Sequence, residues 1–110
     1  MKLWIDDVRP APEDYIWCKS VNDTIATIEL AESFNVYFPS NGETRRVVIE
    51  LVDIDHDAGD YASDGGDYIR LFDWLEETGR NYPIHIHSMN PVGVENMRRI
   101  IKRNGWKEIR

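Results

Sequence analysis

Disulfides are closed to this chain, because Cys18 is the only cysteine among its 110 residues. An unstapled fold suits a reducing compartment, and the lone thiol reads as buried and inert. Long apolar runs are missing too: none approaches the roughly 20 residues of a membrane-spanning helix. The opening stretch, Met1-Lys2-Leu3-Trp4-Ile5-Asp6-Asp7, turns acidic before any leader-like apolar segment develops. The expectation is a cytoplasmic domain with no membrane partner. Basic charge is also in short supply, with 13 Lys and Arg against 20 Asp and Glu and a net charge of -7. That balance argues against extended binding along nucleic-acid backbones. Repeats, low-complexity segments and linkers are absent, so residues 1–110 are expected to form one domain, long enough for one core.

What is present is ordinary in bulk and uneven in detail. Hydrophobic residues make up 42% and charged residues 30%, a globular composition. Six aspartates and no Lys or Arg fall between Asp53 and Asp67, whereas six basic residues and Glu108 alone fall between Arg98 and Arg110. Such a dipole is compatible with a plain solvated surface, and equally with a site that holds a cation and attracts an anion.

Along the chain, Leu3-Trp4-Ile5 reads as a buried strand running into Asp6-Asp7, and Tyr15-Ile16-Trp17-Cys18 as a second. The two prolines in residues 9–14 exclude regular structure between them. Ser20 is placed to cap a helix, with Asp23 three residues on. Val21, Ile25, Ile28 and Ala31 give that helix its stripe to about Phe34-Asn35. Val36-Tyr37-Phe38 and the turn Pro39-Ser40-Asn41-Gly42 suggest a hairpin, with Asn-Gly supplying positive φ angles. Arg46 to Ile54 reads as one central strand covered on both faces. Ala58 to Gly66 is loop. Tyr68, Leu71, Phe72 and Leu75 mark a helix closed by Gly79. Pro83 to His87 is strand, Asn90-Pro91-Val92-Gly93 a turn, and Val94, Met97, Ile100 and Ile101 the last helical stripe. Trp106 to Ile109 would be an edge strand. Strands alternating with helices predict an α/β fold with a mostly parallel sheet.

In such sheets ligands bind beyond the carboxyl ends of the strands. Three apolar strands end in polar clusters: Asp6-Asp7, Asp55-His56-Asp57, and His87-Ser88-Met89-Asn90. Parallel neighbours would bring the three together. Asp6, Asp7 and Asp55, with Asp57 beside them, offer hard oxygen ligands of the kind Mg²⁺ or Mn²⁺ takes together with a phosphate. Isolated aspartates at such positions more often cap turns. It is their placement at two strand ends that favours ligation. His56 and His87 are candidates for metal ligation, proton transfer or phosphate contact. His85 alternates with His87 and leans toward a supporting role. Ser88 and Asn90 are candidate phosphate hydrogen-bonders. Arg9 either clamps an anion bidentately or pairs with a nearby carboxylate. Asp53, Asp55, Asp57 and Asp64 approximate a calcium loop. However, Ala58 and Asp64 replace the glycine and the glutamate such a loop needs, and a strand precedes it where a helix is required. The tryptophans at 4, 17, 74 and 106 are expected to serve core packing.

These motifs carry a resemblance. Met1 to Pro10, then Asp55-His56-Asp57-Ala58-Gly59, then His87-Ser88-Met89-Asn90-Pro91-Val92-Gly93 with Glu95-Asn96-Met97 look like the cyclic-phosphate processing receiver-like domain family, in its order and over nearly the whole chain. The resemblance implies a flavodoxin-like, receiver-like three-layer sandwich, truncated relative to receivers. It implies that Asp6 and Asp7 match the acidic metal-binding pair, that Asp55 falls at the phosphoacceptor position, and that Ser88 is the hydroxyl residue ending the fourth strand. The receiver lysine after the fifth strand has no counterpart, the last helix is missing, and the proline loop replaces the first helix. Those losses argue against phosphorelay. His56 and His87 point instead to metal-dependent phosphoester chemistry on a cyclic phosphate, carried by a small molecule or an RNA end. A non-enzymatic module that binds a phosphorylated ligand, or takes phosphate on Asp55, is the rival expectation. Ala58 stands where the family often has leucine, and residues 36–46 look like an insertion.

Overall fold

The computed structural model describes all 110 residues. Four strands form the central sheet: β1 (Lys2–Ile5), β2 (Tyr15–Cys18), β5 (Leu51–Ile54) and β6 (Ile84–Ile86), in the order β2-β1-β5-β6 with every pairing parallel. Three helices are connected to them: α1 (Val21–Ser33), α2 (Ile69–Thr78) and α3 (Pro91–Asn104). The strand order is the flavodoxin-like one with its fifth strand reduced to a single parallel bridge between Ile84 and Glu108. That bridge is what the expected edge strand over 106–109 amounts to, held by Ile84 N–H to Lys107 O at 2.9 Å and Ile109 N–H to Ile84 O at 2.7 Å.

The truncation falls on one layer. From β2 to β5 to β6 to the bridge, the chain always advances in the same direction across the sheet. Right-handed crossovers therefore place all three helices on one face, where α1 packs on α2 and α2 on α3. Alternation along the strands agrees. Leu3, Ile5, Val52, Ile54 and Ile84 are fully buried beneath the helices, while Lys2, Trp4, Leu51 and His85 on the other face are only half-buried. No helix covers that second face. The loop after β1 curls over it instead, fastened where the Trp4 indole N–H donates to Arg9 O at 2.9 Å.

Local signals explain the helix ends. Ser20 Oγ accepts from Asp23 N–H at 3.0 Å, and the Asp23 carboxylate accepts from Lys19 N–H at 3.3 Å. The cap is reciprocal as expected, displaced by one residue on its return. The buried stripe of α1 runs through Val21, Thr24, Ile28 and Ala31, so Thr24 takes the place expected of Ile25. Thr24 can be buried because its hydroxyl donates to Ser20 O at 2.7 Å. Residues 90–93 are not a turn: Asn90 is the N-cap of α3, its side chain accepting from Gly93 N–H at 3.0 Å, and Pro91 opens the helix. Asparagine followed by proline suits a helix start as well as a turn, and the apolar stripe behind it decides.

The strand expected over 46–54 divides. Residues Leu51–Ile54 form β5, while Glu43–Arg46 form β4, which pairs only with β3 (Asn35–Phe38) in a separate antiparallel hairpin. Residues 47–50 link the two sheets without forming a strand of either: Val47 N–H donates to Phe34 O at 3.3 Å on the hairpin side and Glu50 N–H to Met1 O at 2.8 Å on the side of β1. Val48 turns outward there, 66% exposed. In the hairpin turn only Gly42 takes positive φ, at 71°, and Gly42 N–H donates to Phe38 O at 2.9 Å. The loop is therefore four residues wide and not the two-residue Asn-Gly type. Every residue of β3 and β4 is exposed.

Candidate functional site

The ladder hydrogen bonds continue one residue past the strands and bring the polar clusters to one edge. Asp6 N–H donates to Cys18 O at 3.2 Å, Asp55 N–H to Ile5 O at 2.9 Å, and His87 N–H to Ile54 O at 2.9 Å. Asp6, Asp55 and His87 thus stand side by side on adjacent strands, as the strand-end argument expects.

Asp6, Asp7 and Asp55 each offer a carboxylate oxygen within 4.8 Å of the others. Asp6 is 1% exposed. Burial would raise its carboxyl, yet N–H groups of Arg9 and Val8, each 2.9 Å from Oδ1, and the His87 ring hold it below the usual carboxylate range. Asp7 goes the other way: burial and the charges of Asp6, Asp55 and Asp60 push it up. Gly59 permits this crowding, since a Cβ there would run into the Asp7 carboxylate. Asp55 Oδ1 accepts from His56 N–H at 2.7 Å. His87 is the one basic side chain paired with the trio. Three crowded hard oxygens with so little countercharge fit a divalent cation.

His87 is clamped. Its Nε2 lies 2.9 Å from Asp6 Oδ2 and its Nδ1 2.6 Å from Asp53 Oδ1. Burial works to lower its pKa, and the two carboxylates outweigh that and raise it. Trp4 stacks on the ring, centroids 3.8 Å apart and planes 4° from parallel. His85 Nδ1 shares the same Asp53 Oδ1 at 2.8 Å. Trp17 donates to Asp6 O at 2.7 Å. Trp4 and Trp17, expected in the core, therefore brace the site. Asp53, which the sequence offers only to a calcium-loop pattern, is the bridge between two histidines. The register that pairs Trp4 with Asp53 and Asp53 with His85 sets this up. The signal in the sequence was alternation: Asp53 and Asp55 on one strand, His85 and His87 on the next.

His56 and Asp57 form a second group. His56 Nδ1 lies 2.9 Å from Asp57 Oδ1, and Asn90 Nδ2 reaches both at 3.5 Å. The His56 ring packs on the first turn of α3, so close to Gly93 that a Cβ there would overlap it. Asp57 stands apart from the aspartate trio, with its side chain 60% exposed. Ser88 Oγ accepts from Asn90 N–H at 3.1 Å, so Ser88 and Asn90 shape the start of α3 from the edge of the site. Arg9 is exposed, its guanidinium 3.4 Å from His87 O, and it pairs with no carboxylate. Asp64 bonds Ser20 and Asn22 at the start of α1, and Asp53 faces the histidines, so no calcium loop forms. Tyr68 lies below the trio with its hydroxyl donating to Lys19 O at 2.7 Å; burial and the charges of Asp7, Asp6 and Asp55 raise its phenol.

No helix is long and apolar enough to cross a membrane. No curated protein and no solved structure gives a match to this chain. The family model of the cyclic-phosphate processing receiver domain matches residues 1–103, and the chain belongs to that family.

Proposed function

We propose that this domain is a divalent-metal-dependent phosphoesterase that opens a cyclic phosphate on a nucleotide or an RNA end. The observation that carries the reading is the convergence of Asp6, Asp7 and Asp55 within 4.8 Å at the carboxyl edge of the sheet, in a chain of the cyclic-phosphate processing family. These three residues would hold Mg²⁺ or Mn²⁺, which polarises a phosphoryl oxygen and lowers the pKa of a bound water.

The chain's own side chains divide the remaining work. Both nitrogens of His87 face carboxylates, which supports an orienting part: it fixes the rotamer of Asp6 and balances its charge. His56 is better suited to move a proton. Asp57 orients its Nδ1, and no protein group bonds Nε2, which leaves that nitrogen for the substrate. Arg9 is free to reach a phosphate oxygen. Asp57 thus acts through His56, and Ser88 and Asn90 keep the neighbouring helix start in place.

The test is hydrolysis of 2′,3′-cyclic nucleotides with added Mg²⁺ or Mn²⁺. The expected result is metal-dependent turnover, lost in Asp6→Asn and lowered by about 100-fold or more in His56→Ala. Absence of turnover with every divalent metal, or an unchanged rate in His56→Ala, overturns the reading. The placement of Asp55 at the end of a central strand beside an acidic pair also suits a module phosphorylated on that aspartate. Incubation with a small phosphodonor followed by intact mass separates the two readings: a mass gain abolished by Asp55→Asn favours the module.

A further inference from the structure

The open face of the sheet carries a second constellation that the proposed phosphoesterase chemistry touches only through the contact of His87 with Asp6. Asp53, His85 and His87 each present a ligand atom within 4.8 Å of the others. We propose that these three residues form a separate divalent-cation site, selective for a borderline transition ion such as Zn²⁺ or Co²⁺.

Four features support it. The donor set is two imidazoles and one carboxylate, a combination that suits Zn²⁺, Co²⁺ or Fe²⁺ and is a poor match for Mg²⁺. It stands on rigid scaffold: His85 and His87 point to the same side of the β6 end, and Asp53 is the ladder partner of His85 on β5. Both imidazoles turn Nδ1 to one oxygen of a carboxylate that is 5% exposed, at 2.8 and 2.6 Å, so the three donors already face a common point. Finally, the far nitrogen of His87 already meets the Asp6 carboxylate at 2.9 Å. Metal-binding histidines nearly always make that contact with their other ring nitrogen, and it fixes ring and tautomer. Trp4 packs flat on the same ring and holds its plane.

The Nδ1 hydrogens now directed at Asp53 would leave as the ion enters, and His87 would keep its Nε2 hydrogen for Asp6. Access is from solvent, past the His85 side chain, which is 35% exposed. The two candidate sites share no residue and are joined only through the His87–Asp6 contact, so each can be removed alone.

Co²⁺ is the probe, titrated into the intact metal-stripped protein in millimolar Mg²⁺ and followed by visible absorption. The expected result is one Co²⁺ per chain with the stronger bands of a site of low coordination number. His85→Gln, a change at a half-exposed side chain, should weaken binding by about tenfold or more, with Asp7→Asn and His56→Gln binding like the wild type. Circular dichroism of His85→Gln checks that the fold persists. A Co²⁺ spectrum unchanged by His85→Gln, abolished by Asp7→Asn, or displaced by Mg²⁺ overturns the proposal. Because Asp7→Asn reports on the carboxylate trio, failure of the phosphoesterase reading and failure of this one give different patterns.

Discussion

The Trp4 indole lies against the His87 imidazole, 3.8 Å between ring centroids and 4° from parallel. Trp4 is on β1 and His87 follows β6, so the contact spans the strand between them, over Asp53. One stacked pair therefore joins three strands at the edge that bears the site. Trp4→Leu removes the stack and the hydrogen bond that fastens the loop at Arg9. The expected loss is about 1–2 kcal/mol, read by urea unfolding, with a weaker response of fluorescence to added Co²⁺.

His87→Gln should be the more damaging change. It leaves Asp6 and Asp53, both buried, without their shared imidazole, and removal of one partner from a buried pair costs about 3 kcal/mol where that pair is charged. The difference from wild type depends on pH. His87 is raised above its ordinary 6.5, so its contribution is in place below that value and fades as pH rises through the folded-state pKa. Asp6 is lowered from 3.8, so the same contact also fades as acid protonates the carboxylate. Unfolding measured in chelator should show the widest gap in the mildly acidic range, narrowing on both sides.

Asp7→Asn tests the crowding of the trio. A carboxyl pushed up by burial and by its neighbours' charge destabilises the metal-free fold at neutral pH. The variant should melt a few degrees higher than wild type in chelator, and millimolar Mg²⁺, expected to raise the melting temperature of the wild type, should leave that of the variant unchanged. A variant that melts lower in chelator contradicts the account.

Gly93→Ala has a sign that discriminates. Within a helix the change ordinarily stabilises by about 0.5–1 kcal/mol. Here the new Cβ would meet the His56 ring, and such overpacking costs about 1–3 kcal/mol. Thermal unfolding should show net destabilisation. Turnover should fall with little change in Mg²⁺ affinity, since the His56 ring, which the new Cβ meets, bonds Asp57 and Asn90 and none of the three aspartates.

The sequence carried the order of elements and the meeting of the three strand ends, because parallel strands with short polar ends leave few arrangements. Ser20 and Gly79 were legible as helix boundaries for the same local reasons that make them work. The division of residues 46–54 was not, since an apolar run does not reveal whether a partner strand extends far enough to pair with it. Nor was the environment of the two histidines. His56 and His87 both lie in the polar ends of their strands, yet His87 is level with Asp55 and His56 comes one residue later, so one ring turns to Asp57 and the other is locked between Asp6 and Asp53. That difference arises from the register of β1, β5 and β6, and only the assembled sheet reveals it. Trp4 and Trp17 look like core residues because a large apolar side chain in a strand does not reveal which face the helices cover.

The β3–β4 hairpin begins where α1 ends, and α1 starts at the carboxyl edge of the sheet and runs back to the opposite one. Its 13 residues put about 20 Å of helix between the aspartates and the hairpin. Arg45 and Phe38 pack on each other there, and no part of the sheet depends on them. This is a modular arrangement: the hairpin can be lengthened, trimmed or fitted with a label or a new binding segment while the chemistry at the other pole stays as it is.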